Sequence, residues 1–205
     1  ASKYALGEIV TILTEDGFVA PREHEEIDMY WFAHRHDFIQ CLKDFYKLCG
    51  KTPLLPRYAM GNWWSRFHRY TQTEYMELVE QFEREKLPFT VAVVDSDWHI
   101  KDDVPDEYGC GYTGYSWNRE FFPDPEGFMK WLHEHNMKVT LNVHPNDGIR
   151  AFEDPYKEMA EAMGIDPESK QTILFDPTDK KFLEAYFGVL NRYHEKQGVD
   201  FWWID

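Results

Sequence analysis

Cysteine is scarce in this chain: three residues among 205, at Cys41, Cys49 and Cys110. The number is odd and no Cys-x-x-Cys pair occurs, which argues against a disulfide framework or a zinc site and leaves three core or surface thiols. Positive charge is also short, with 22 Lys and Arg against 37 Asp and Glu and a net charge of −15. Phosphate backbones need clustered cations, so no nucleic-acid partner is expected, whereas a neutral sugar is not repelled. No apolar run approaches the ~20 residues of a membrane span. Residues 1–5 do not open a signal peptide, because no apolar segment follows a basic start. That says little about export, and the cytoplasm is the default compartment. Internal repeats, low-complexity tracts, long linkers and a Gly-rich phosphate loop are lacking too. His34 and His36, like His133 and His135, are i, i+2 pairs that cannot share a helix face, so neither metal nor cofactor is expected.

What is present is apolar and aromatic: 43% of residues are hydrophobic, enough for one domain with a real core. Residues 8–13 and 27–32 read as strands, and a turn falls at Asp16-Gly17. Asp37 can cap a helix whose one face carries Phe38, Cys41, Leu42, Phe45 and Leu48, with Gly50 as its stop and Pro53 blocking continuation. A regular alternation follows. Residues 58–64 form an apolar strand. Thr71 and Glu74 make a capping box for a helix facing the core through Tyr75, Leu78, Val79 and Phe82. The run 89–94 is apolar and β-branched, as a strand buried on both faces should be. After a long loop, Asp124-Pro125 starts a helix and 138–143 makes the next buried strand. A short helix from Asp154-Pro155 and a longer one around Phe182, Leu190 and Tyr193 lead past Gly198 to a strand over 199–205. Four strand-then-helix units lacking the last helix predict an α/β fold. A doubly wound sheet and a (β/α)8 barrel both fit this alternation.

Each of the four strands ends in polar or aromatic residues. Trp63, Trp64, Ser65 and Arg66 follow the first; Asp95, Asp97, Trp98 and His99 the second; His144, Asn146 and Asp147 the third; and Asp205 the fourth. In a barrel all these termini meet at one face. A single strand-end Asp is more often a loop cap. Two of them, each beside Trp, suit a sugar: indole faces stack on the apolar side of a pyranose while carboxylates bind its hydroxyls. A strand-end carboxylate could also attack an anomeric carbon, because a fixed negative charge stabilises an oxocarbenium-like transition state.

These residues stand in segments that resemble glycoside hydrolase family 31. Pro53-Leu54-Leu55-Pro56-Arg57-Tyr58-Ala59-Met60-Gly61, continuing to Trp63-Trp64-Ser65-Arg66, looks like the approach to that family's first barrel strand. Val93-Val94-Asp95-Ser96-Asp97-Trp98 is similar to its second-strand motif, Phe121-Phe122-Pro123-Asp124-Pro125 to a helix start, and Phe201-Trp202-Trp203-Ile204-Asp205 to its nucleophile strand. The resemblance covers about residues 28–205 and implies a retaining α-glycosidase built on a (β/α)8 TIM barrel. Residues 1–35 would be a strand-rich leading segment, and 36–205 the first half of the catalytic barrel, cut at its fourth strand. By position Asp205 resembles the nucleophile, Trp203 a wall of the sugar subsite and Asp95 the group that holds distal hydroxyls. Phe67, Arg66, Trp63 and His144 would line the same pocket. The implied partner is an oligosaccharide or α-glycoside. The family's acid/base would lie on a later strand, so residues 1–205 alone are expected to be inactive and to associate through open sheet edges. Trp-Trp-Ile-Asp at the end of the fourth strand is a variant of the family's pattern. The rival readings are a carbohydrate-binding barrel without turnover, an α-glycosyl transferase of the same family, and a phosphate-sugar isomerase.

Overall fold

The computed structural model describes residues 30–102, 104–109 and 111–205. The strand expected at 8–13, the turn at Asp16-Gly17 and Cys110 lie outside these residues. Of the strand expected at 27–32, residues 30–32 are described; they carry no strand and leave Tyr30 and Trp31 exposed, with no ladder partner among the described residues. Helix α1 (Phe38–Cys49) starts where Asp37 accepts from the Gln40 amide at 3.0 Å and stops at Gly50, whose φ of 78° suits glycine. None of its residues is buried.

Four parallel strands follow: β1 (Trp63–Trp64), β2 (Val91–Val94), β3 (Lys138–Val143) and β4 (Phe201–Ile204). Between them lie α2 (Gln72–Arg84), α3 (Pro125–Glu134), α4 (Tyr156–Met163) and a helical run. That run passes from α5 (Lys180–Ala185) through a π-helical stretch (Tyr186–Asn191) into α6 (Arg192–Glu195). The first strand is shorter than expected. Residues 57–60 make a 3-10 turn instead, because Thr90 Oγ1 reaches the Tyr58 carbonyl at 2.7 Å and presses on Gly61, where any Cβ would overlap it.

Strand order separates the two architectures left open by the sequence. A doubly wound sheet reverses direction after its first strands. Here the described order is β1-β2-β3-β4, each strand paired in parallel with its successor. The sheet also curls. A flat sheet with ~4.8 Å strand spacing would hold β1 and β4 about 14 Å apart. Yet the Trp63 and Phe201 ring centroids are 5.4 Å apart, and Tyr58 stacks on Phe201 at 5.8 Å. Sequential parallel order with curvature is a partial (β/α)8 barrel.

Alternation along each strand separates two faces. Trp64, Ala92, Val94, Val139, Leu141, Val143 and Trp202 pack with Tyr75, Val79, Phe128, Met129 and Leu132 into the layer between sheet and helices. The alternate residues (Trp63, Val91, Val93, Thr140, Asn142, Phe201 and Trp203) therefore face the concave side. A second core joins Tyr115 and Ile149 to residues of α4, α5 and the π-helical stretch.

Candidate active site

The carboxyl ends of β2, β3 and β4 carry the concave row one step further, to Asp95, His144 and Asp205. Register sets their heights. Val94 pairs with Leu141 and Val143 with Ile204, so Asp95 lies level with Asn142 and Trp203, while His144 lies level with Asp205. The Asp205 amide donates to Val143 O at 2.9 Å, extending the ladder to the rim. His144 Nε2 is 3.7 Å from Asp205 Oδ2, beyond direct hydrogen bonding. Burial pulls the His144 pKa below its ordinary value. The nearby Asp205 and Asp95 carboxylates oppose that shift, and Lys101 adds to it. His144 is thus neutral at pH 7 and feels both Asp charges, one on each flank. By strand alternation the two carboxylates lie on the same face of the sheet, on either side of His144.

The rim walls come from other segments. Phe67 is 72% exposed and Trp203 36%, so aromatic faces stand free at the rim, whereas Trp63 pairs with Val91 at the amino-terminal end of the sheet, packs on Phe201 and is not brought to the rim. Trp63 Nε1 donates to Ala59 O at 3.3 Å. Arg66 is exposed and makes no ion pair among the described residues, so nothing fixes its guanidinium toward the site. Two surface cavities of about 350 and 170 Å³ lie at the opposite, amino-terminal ends of the strands, around Gly198 and Met137. They have no part in this rim, which is open.

The loop after β2 adds Lys101 and Tyr112, which sequence reasoning missed, to Asp97 and Trp98, which it placed at the strand end. Asp97 is buried and holds Arg69 Nε at 3.2 Å and Lys101 Nζ at 2.8 Å. Lys101 in turn lies 5.5 Å from the Phe67 ring centre and 5.6 Å from that of Tyr112. Tyr112 packs on the His144 ring with centroids 4.1 Å apart and planes at 38°. Asp97 thus holds the walls, while Asp95, two residues earlier, caps the turn at 96–98 by accepting from the Ser96 amide at 2.7 Å and acts on His144 by its charge. Trp98 is buried, its Nε1 donating to Asn142 O at 2.8 Å, which roots the loop on β3. Lys101 and Tyr112 gave no signal, because their spacing on an irregular loop matches neither helix nor strand.

The short helix expected from Asp154-Pro155 is α4, which follows Pro155; the Asp154 amide donates to Ser116 Oγ at 2.7 Å, and no side chain caps the helix. His133 and His135 bind different carboxylates, Asp200 and Glu83, each at 2.7 Å. Among the described residues no group of three or more His, Cys, Asp or Glu side chains is arranged to hold a metal ion. No helix there is long and apolar enough to cross a membrane.

A parallel barrel segment gathers its strand-end side chains at one rim, the face where barrel enzymes carry their chemistry. Residues 52–205 match the glycosyl hydrolases family 31 TIM-barrel domain, and the chain belongs to that family. It is 24% identical over 181 residues to an alpha-xylosidase of Saccharolobus solfataricus, covering 86% of this chain and 22% of that protein. It is 29% identical over 176 residues to an alpha-glucosidase of the same organism, covering 80% and 23%. The solved GH31 alpha-xylosidase of Xanthomonas citri superposes with a TM-score of 0.64 at 23% identity, over 83% of this chain and 19% of that one. The chain therefore spans about a fifth of the length of these relatives.

Proposed function

We propose that this chain forms part of the catalytic barrel of a retaining α-glycosidase, acting on α-linked xylosides or glucosides with Asp205 as its nucleophile. The observation that carries the reading is the convergence of Asp95, His144 and Asp205 on one rim, held there by strand register. Asp205 attacks the anomeric carbon, the glycosidic C–O bond breaks, and a carboxylic acid protonates the departing oxygen. Water then cleaves the glycosyl ester with retention. Retaining enzymes place these two carboxyl groups ~5–5.5 Å apart. A neutral His144 leaves the Asp205 charge uncancelled, and that charge is what a cationic transition state needs. Asp95 accepts from hydroxyls distant from the reacting carbon, and Trp203 and Phe67 offer apolar faces to the ring. A general acid of this kind supplies ~10²–10⁴-fold.

The test uses the native full-length protein with aryl α-xyloside and α-glucoside, and a fluorinated α-glycosyl trap followed by peptide mass spectrometry. Label on Asp205 and loss of turnover in Asp205→Asn are expected. Label elsewhere, or an Asp205→Asn variant with wild-type turnover, refutes the assignment. Sugar binding without any turnover would identify a binding barrel instead.

A further inference from the structure

Behind the rim lies a carboxyl group that the proposed mechanism does not use. Glu153, in the turn before α4, is 4% exposed and sits between Thr113 and Ser116, both fully buried. The Thr113 hydroxyl donates to Glu153 Oε1, and the Ser116 hydroxyl donates to Oε2 at 2.5 Å. Packing alone does not call for a carboxylate, because a well-fitted apolar side chain fills such a space at lower cost. What a carboxyl group adds is direction: its two oxygens bond two hydroxyls in a fixed orientation.

The segment held this way lies directly under the site. Thr113 O accepts from the His144 amide at 3.0 Å. The neighbouring Tyr112 covers the His144 ring at 4.1 Å. Gly114 has a φ of 94°, and a Cβ there would stand 3.3 Å from Val143 Cα and 3.4 Å from Asn142 O, so the backbone itself rests on β3. Further along, Tyr115 O meets His194 Nε2 at 3.0 Å, and Trp117 Nε1 donates to Gln197 at 2.8 Å. These contacts pin the far end of the segment to α6 and the turn after it. At its near end, beside His144, the side-chain anchor is Glu153.

We propose that Glu153 is a positioning residue for this site: it grips Thr113 and, through the Thr113 carbonyl and the Tyr112 ring, sets His144 beside Asp205. The proposal rests on the reading of Asp205 as nucleophile. Asp205 takes its own backbone hydrogen bond from β3, whereas His144 is the one rim group whose amide is bonded to the loop after β2. Loss of the Glu153–Thr113 bond therefore shifts the imidazole relative to the carboxylate and leaves Asp95 and the indoles in place. Misplacement by about 1 Å near reacting groups can cost on the order of 10²-fold in rate.

The experiment compares Glu153→Gln, Thr113→Val and Thr113→Ser in the full-length protein, measuring kcat and KM on an aryl α-glycoside and the rate of labelling by the glycosyl trap. Glu153→Gln and Thr113→Val are expected to lower kcat and labelling by about 10-fold with KM changed less than about twofold. Thr113→Ser restores the hydroxyl and should come within about twofold of wild type in all three. Should Glu153→Gln fail to fold, the Val and Ser pair at 113 decides alone. Wild-type kcat in Thr113→Val, or equal losses in Thr113→Val and Thr113→Ser, overturns the positioning role. Failure of the nucleophile assignment looks different, since the trap would then label another residue in the wild-type protein.

Discussion

The buried Glu153 carboxyl makes a quantitative demand on stability. Burial pushes its pKa from 4.5 up to about 7; the hydrogen bonds from Ser116 and Thr113 pull the other way, and the neighbouring Asp154 charge adds to the rise. The unfolded chain releases this proton near 4.5 while the native chain keeps it to about 7. Between those values the native state binds more protons than the unfolded one, so stability falls as pH rises. At 1.36 kcal/mol per pH unit the loss from this group alone approaches ~3 kcal/mol once pH passes 7. Glu153→Gln removes the titration. The variant should be the less stable form near pH 4.5 and gain on wild type steadily up to about pH 8. With an m-value of ~2 kcal/mol/M in urea, the difference between the two midpoints should change by ~1.5 M over that range. Urea unfolding of both proteins followed by far-UV circular dichroism at several pH values measures it. Parallel midpoint curves would refute the argument, because they would mean that Glu153 titrates alike in the native and unfolded chains. The same comparison guards the catalytic test. The urea midpoints of both proteins at the assay pH show directly whether a slower Glu153→Gln enzyme is folded there.

Two further outcomes follow from the rim. Asp95→Ala should lower kcat/KM by ~10- to 100-fold, the 1.5–3 kcal/mol of a hydrogen bond to a charged group, with most of the change in KM; an unchanged KM would remove Asp95 from the binding site. Asp97→Asn should destabilise the protein by ~2–3 kcal/mol in urea unfolding, because Lys101, with 15% of its side chain exposed, loses its carboxylate partner. Lys101→Met in that background should recover part of the loss, and no recovery would count against the pairing.

Much of the frame is legible in the chain because it depends on local chemistry. The Thr71–Glu74 capping box, Asp37 and Asp124 as caps, and the stop at Gly50 all act over three or four residues, and the structure shows each. The strand 138–143 is found at those bounds because its two flanks change character sharply. The first strand is misjudged for a non-local reason: Thr90, far along the chain, folds 57–60 into a turn. Barrel and doubly wound sheet give the same alternation and differ only in strand order, which periodicity does not encode. At the site, Asp95 and Asp205 stand out because a carboxylate ending an apolar run is conspicuous. Glu153 does not stand out, lying beside an Asp-Pro helix signal that explains it away. Its role depends on Thr113 and Ser116, 40 and 37 residues earlier.

The position of Asp205 depends in turn on register, and register on another carboxylate. Side chains alternate with a period of two, so a one-residue slip of β4 would turn Asp205 and Trp203 toward the helices and Trp202 into the cavity. The apolar pattern of Phe201-Trp202-Trp203-Ile204 barely opposes such a slip, because both faces read as hydrophobic. Asp200 supplies the missing specification. Its Oδ2 accepts from the Val139 amide at 2.9 Å and from His133 at 2.7 Å, and its Oδ1 from Lys138 Nζ at 2.6 Å. Its own amide donates to Val139 O at 3.0 Å, so the start of β4 is bolted to the start of β3 by backbone and side chain together. These hydrogen bonds outweigh the partial burial of the group and hold its pKa below the ordinary range, so it remains a carboxylate at neutral pH. Of the two carboxylates flanking the strand, Asp200 fixes which way the residues between them face, and Asp205 is thereby delivered to the rim.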